Sequence, residues 1–169
     1  LPQQQAEALY DYTREVLAQL DAQGLMPEMV QVGNETNPEL MGGTKAAKIN
    51  WERNALLLNA GIRAVRDAGK ASAISPRVML HIAQPEHVVP WFDAARAAGV
   101  TDYDFIGISY YRKWSTRTVA QLGETIAETP PPVHNIFPPF SPVSTTVRCA
   151  GRWMPRPFSA PARSRAPAW

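Results

Sequence analysis

Apolar positions first recur at helical spacing: Leu9, Thr13, Val16, Leu17 and Leu20 fall at i, i+4, i+7, i+8 and i+11, one stripe of an amphipathic helix. Gly24 reads as its stop and Pro27 as the exit. The period then shortens, and residues 29–33 (MVQVG) read as a short buried strand. Asn37-Pro38 and Gly42-Gly43 mark a loop. A second stripe, Trp51, Ala55, Leu58, Ile62 and Val65, predicts a helix over residues 50–68. Residues 77–82 (RVMLHI) are the next strand. A helix over residues 86–98 follows, carrying Val88, Phe92 and Ala95 and stopped by Gly99. Residues 105–110 (FIGISY) form a third strand, and Val119, Leu122 and Ile126 predict a fourth helix over residues 116–128.

The predicted order is α-β-α-β-α-β-α. Strands separated by helices cannot pair as hairpins, so the pattern implies an α/β fold with a parallel sheet of βαβ units. Side-chain alternation adds detail. Val30 and Val32, Val78, Leu80 and Ile82, and Ile106 and Ile108 share the face turned to the helices. The other face then carries Gln31, Gly33 and Glu35, Met79 and His81, and Gly107, Ser109 and Tyr111. An open doubly wound sheet would be apolar on both faces. The mouth of a barrel tolerates a polar interior better, although three strands alone fit either architecture.

In parallel α/β folds, chemistry gathers at the C-terminal ends of strands. Here those ends read Gly33-Asn34-Glu35, His81 and Ser109-Tyr110-Tyr111. A carboxylate, an amide, an imidazole and hydroxyls thus share one rim, with Trp114 nearby as an aromatic suited to a sugar ring. The bland alternatives are a solvated or helix-capping Glu35, a hydrogen-bonded core His81 and a packing Trp114. Neither GxGxxG nor GxxxxGK[ST] follows a strand, so nucleotide folds lose their usual support. No HExxH and no Cys/His cluster is present, which argues against a catalytic metal, and no cofactor is implied. Asn34-Glu35-Thr36 is formally a glycosylation sequon, read as a coincidence at a buried site.

Composition divides the chain. Of its 169 residues, the first 129 hold 12 lysines and arginines against all 15 acids, a balance of −3; the last 40 hold five arginines, no lysine and no acid. Ten of the 16 prolines also lie in those last 40 residues. Residues 1–129 are therefore read as one unit and residues 130–169 as another. Cys149 has no partner for a disulfide within the chain, no run of about 18 apolar residues could cross a membrane, and no basic leader followed by an apolar stretch is visible, so no signal peptide is expected within these residues.

Three segments resemble the arabinogalactan endo-β-1,4-galactanases of glycoside hydrolase family 53. They are YTREVLAQLDAQGLMPEMVQVGNETN at residues 12–37, INWERNALLLNAGIRAVRDAG at 49–69 and DFIGISYYRKW at 104–114. The resemblance implies a fragment of a (β/α)8 TIM barrel running from about helix 3 to helix 6. It makes Glu35 the general acid/base and Asn34 a hydrogen-bond partner of the sugar 2-hydroxyl. Tyr111 is the candidate for a tyrosine set against the nucleophile, and His81, Ser109 and Trp114 are expected to line the cleft. The implied substrate is plant cell-wall galactan or arabinogalactan, with no nucleic acid, membrane or obligate protein partner and a secreted or periplasmic location. Arg112 stands where the family usually has proline.

A retaining glycosidase needs a second carboxylate about 5–5.5 Å from the first. Family members carry it on strand 7 in a stretch like VVETAYPW, which this sequence lacks, so the chain as written is expected to be inactive. Three readings of residues 130–169 compete: an out-of-frame stretch, a Pro-rich linker or disordered tail, and a basic nucleic-acid-binding tail, which five scattered arginines support poorly. A three-strand slice is expected to leave two open edges and an exposed apolar face, hence an aggregation-prone or molten chain.

Overall fold

The computed structural model describes residues 1–42 and 48–129, together with the backbone of residues 135–137. Helix α1 spans Pro2–Ala22, strand β1 Met29–Val32, helix α2 Trp51–Lys70 and strand β2 Arg77–Ala83. A 3-10 turn at Pro85–His87 leads into α3, Val88–Ala97; β3 is Phe105–Ser109, α4 is Val119–Glu128 and β4 is Asn135–Phe137. The strands pair in the order β1-β2-β3-β4, all parallel. This is the expected βαβ arrangement with one addition: the sequence gives no strand after residue 128, yet β4 pairs with β3 from Phe105↔Asn135 to Gly107↔Phe137. The remaining expectations for residues 130–169 fall outside the described residues.

Boundaries moved where capping chemistry outweighed the apolar stripe. Helix α1 begins at Pro2, ahead of Leu9, because proline at the first turn needs no N–H partner and the polar QQQAEA run is made of helix-compatible residues. Helix α4 begins at Val119 because the Thr118 side chain accepts the Gln121 N–H while Gln121 Oε1 accepts the Thr118 N–H, a reciprocal cap. Val119, expected on the packing face, sits on that first turn and is exposed; Leu122 is buried and Ile126 packs against the core.

The predicted strand parity holds. Val32, Val78, Leu80, Ile82, Ile106 and Ile108 form one buried cluster with Leu57, Leu58 and Val65 of α2 and Val88 and Phe92 of α3. At the N-terminal end of the strands, the Asp104 carboxylate accepts the Val78 N–H at 2.6 Å and pairs with Arg66 at 2.8 Å, which helps to fix the β2–β3 register. The opposite face departs from expectation. Met79 and Phe105, which a bare slice would expose, are only 8% and 5% exposed. The apolar exposure foreseen from the sequence is thus absent at these two positions of the central strands. Edge strand β1 does remain open on that face, with Met29 and Gln31 exposed.

Leu80 lies in the middle of β2, is fully buried and belongs to the cluster. Leu80→Ala is therefore expected to destabilise the chain by about 2–5 kcal/mol, the range for a large-to-small change in a packed core. Denaturant titration of the two proteins checks it; superimposable curves would mean that this core is not formed.

Candidate active site

The rim at the C-terminal ends of β1, β2 and β3 is built around an abrupt turn after Val32. Gly33 has φ +81°, and a Cβ there would lie 2.5 Å from Thr36 Cγ2 and 2.7 Å from Leu40 Cδ1, so only glycine fits. Glu35 follows with φ +47°, a left-handed backbone that costs a non-glycine residue roughly 1–2 kcal/mol. Such a conformation persists only where the surroundings over-determine it.

Strand β2 supplies the restraint. The Glu35 N–H donates to His81 Nδ1 at 3.0 Å. The next residue, Thr36, donates its N–H and its hydroxyl to the His81 carbonyl, each at 3.0 Å. The Asn37 side-chain amide then spans the Ala83 peptide, accepting its N–H at 2.5 Å and donating to its carbonyl at 2.7 Å. It replaces the strand neighbour that β1 no longer provides. Beyond the turn, the buried Asn54 accepts the Leu40 N–H at 2.8 Å, and Arg53 of α2 bridges Glu39 and the Leu40 carbonyl, each at 3.1 Å.

His81 is 3% exposed, and both ring nitrogens are engaged. Because Nδ1 accepts a backbone N–H, the ring proton belongs on Nε2, which then donates to Ser109 Oγ at 3.1 Å. Gly107 makes the arrangement possible: a Cβ at this position would stand 2.8 Å from His81 Cδ2 and 3.0 Å from Met79 Sδ. Burial disfavours the imidazolium and the nearby Glu35 carboxylate only partly offsets it, so His81 titrates below the ordinary histidine value of 6.5.

The third strand brings the aromatic side. Tyr111 Oη donates to Glu35 Oε1 at 2.8 Å, and its ring meets Trp114 edge to face at 5.5 Å between centroids. Trp114 is 66% exposed beside the rim, with the Lys113 ammonium 5.6 Å from its ring centroid. Glu86 anchors this loop, accepting the Ser115 hydroxyl at 2.8 Å and the Thr116 N–H at 3.0 Å. Burial alone would raise the Glu86 carboxyl, but these donors together hold it below the usual carboxylate range.

The rim therefore joins Glu35, His81, Ser109, Tyr111 and Trp114. Asn34 is exposed, its Oδ1 taking the Gln31 amide at 3.2 Å, so the acceptor residue of the sequon is not buried as expected, although Glu35 is half-buried and Thr36 is buried. Tyr111 meets Glu35 itself, whereas the resemblance set it against a second carboxylate. Thr36, Asn37 and Glu86 were given no role at the site from the sequence. Asn37 looked like half of an Asn-Pro turn and Glu86 like a helix-start acid, and long-range backbone contacts leave no periodic signal. Among the described residues, no group of three or more His, Cys, Asp or Glu could hold a metal ion, and no helix is long and apolar enough to cross a membrane.

A four-stranded parallel sheet with helices on one face, and a carboxylate with hydroxyl, imidazole and aromatic neighbours at its C-terminal rim, defines a segment of a (β/α)8 barrel hydrolase. The model of glycosyl hydrolase family 53 matches residues 2–131, and the chain belongs to that family. It is 53% identical over 126 residues to the arabinogalactan endo-β-1,4-galactanase of Cellvibrio japonicus, covering 73% of this chain and 34% of that protein. To the endo-β-1,4-galactanase of Bacillus subtilis it is 33% identical over 108 residues, covering 63% of this chain and 23% of that protein. The catalytic domain of a family 53 enzyme from Ignisphaera aggregans superposes with a TM-score of 0.64 at 27% identity, over 75% of this chain and 34% of that structure. A structure from a study of two fungal β-1,4-galactanases gives 0.62 at 25% identity, over 72% of this chain and 38% of that structure. The chain thus spans between 23% and 38% of the length of these relatives.

The depressed titration of His81 has a stability consequence. Between its folded value and 6.5 the unfolded chain binds the extra proton, so stability falls as pH drops below 6.5 and levels off once the folded ring is also protonated. A series of denaturant titrations from pH 7.5 downward should show this slope, with a smaller one in His81→Gln. Equal slopes in the two proteins would mean that the ring is not held neutral.

Proposed function

We propose that this chain is the central segment of a retaining endo-β-1,4-galactanase, with Glu35 as the general acid/base. The carrying observation is the 2.8 Å hydrogen bond from Tyr111 Oη to Glu35 Oε1, on a backbone fastened to His81. That bond occupies one carboxyl oxygen and orients the other, Oε2, for the glycosidic oxygen. In a retaining reaction the acid protonates the leaving oxygen while a second carboxylate attacks the anomeric carbon; the first group then activates water as a base to release the sugar. Asn34, exposed on the same rim, is the partner for the sugar 2-hydroxyl. The Trp114 face beside Tyr111 is a platform for a galactose ring.

The substrate is the β-1,4-galactan or arabinogalactan of plant cell walls, met outside the cell or in the periplasm, in keeping with the activity named for the Cellvibrio and Bacillus relatives. Within this chain the nucleophile is missing. Strand β4 stands next to β3, and neither it nor any residue after Thr129 is acidic. The chain by itself is then a catalytically inactive product that binds galactan weakly through Asn34, Trp114 and their neighbours.

A graft tests both statements. Residues 2–129 are placed in the Cellvibrio japonicus galactanase in exchange for the segment they match, and reducing ends released from β-1,4-galactan are measured. The hybrid is expected to be active, Glu35→Gln in the hybrid to lose at least about a hundredfold, and the 169-residue chain alone to release nothing. Full activity of Glu35→Gln would remove Glu35 from the chemistry, and galactan cleavage by the chain alone would refute the missing nucleophile.

A further inference from the structure

The expectation that His81 and Ser109 contact sugar sits poorly with their surroundings. His81 is 3% and Ser109 5% exposed, and the ring has no nitrogen left for a ligand. Both contacts are internal to the protein, and they agree on one tautomer: the Glu35 N–H can only donate, so Nδ1 is bare and the ring proton sits on Nε2, which donates to Ser109 Oγ. We propose that His81 is a positioning residue, whose Nε2–H tautomer, set by the donor-only Glu35 N–H and bonded to Ser109 at its other end, holds the strained backbone from which the Glu35 carboxylate projects. The inference rests on the reading of Glu35 as acid/base only for its catalytic consequence; the hydrogen-bonded relay stands without it.

Several features support the assignment. The Glu35 N–H is the donor nearest the carboxylate that the turn must fix, and its left-handed φ of +47° needs a partner placed off the course of β1. Gly107 leaves the room in which the imidazole lies, and Met79 Sδ and His81 Cδ2 converge on the position its missing side chain would fill. The His81 carbonyl holds Thr36 at the same time, so main chain and side chain of one β2 residue grip two successive residues of the turn. A sugar-binding histidine would keep a nitrogen free toward the cleft.

Nitrogen-15 NMR of the labelled 169-residue chain near neutral pH tests the relay. Expected are a protonated Nε2, an unprotonated Nδ1, and a through-hydrogen-bond coupling between Nδ1 and the Glu35 amide nitrogen. A protonated Nδ1, or no coupling, overturns the proposal. Two variants separate the nitrogens. His81→Asn offers an amide oxygen near the place of Nδ1 and should preserve the downfield shift of the Glu35 amide proton, whereas His81→Gln reaches only toward Ser109 and should lose it. The reverse pattern overturns the proposal, and if both variants unfold, the wild-type spectrum decides. In the grafted barrel, His81→Gln should lower kcat with KM unchanged, while a raised KM at unchanged kcat would make His81 a sugar contact. An intact coupling alongside an active Glu35→Gln hybrid would refute the acid/base reading and leave the relay standing. A missing coupling alongside an inactive Glu35→Gln hybrid would do the opposite.

Discussion

The turn after β1 depends on one hydrogen bond, from the Glu35 N–H to His81 Nδ1, because it holds a residue with a side chain in a backbone region that normally belongs to glycine. Gly33 starts the turn and Glu35 completes it; without the restraint from β2 the chain would relax toward an ordinary loop. Thr36 and Asn37 continue the same logic, taking partners from the His81 carbonyl and the Ala83 peptide. A carboxylate at the edge of a sheet is thereby positioned by the neighbouring strand more than by its own.

Parallel pairing makes this possible. In the register of β2 and β3, His81 stands opposite Gly107 and Ala83 opposite Ser109. The small residue gives the imidazole space, and the serine lies one alternation further toward the rim, within reach of Nε2. Tyr111 then leaves β3 on the same side and closes on Glu35 from the other direction. Three consecutive strands thus contribute to one carboxylate, which is how parallel barrels assemble sites from residues far apart in sequence.

Much of this was legible before the structure. Period-2 alternation placed Glu35, His81 and Ser109 on one face, because the valines and isoleucines of β1, β2 and β3 define the other face so consistently. The helices were readable from Leu58 and Val65 or from Phe92 for the same reason. What the sequence hid has physical causes. The starts of α1 and α4 are set by Pro2 and by the Thr118–Gln121 cap, not by hydrophobicity. Three-residue β4 is too short to carry a periodic signal. The engagement of both His81 nitrogens depends on contacts 46 and 28 residues away in the chain, which no local pattern encodes.

Hydrogen exchange at single-residue resolution on the 169-residue chain tests the central claim most directly, that β2 holds the Glu35 turn. The Glu35 and Thr36 amides should be protected to a degree comparable with the β2 amides whose partners they extend, while the exposed Asn34 amide beside them exchanges freely. Glu35 exchanging as fast as Asn34, with β2 still protected, would show the turn to be loose and the carboxylate unplaced.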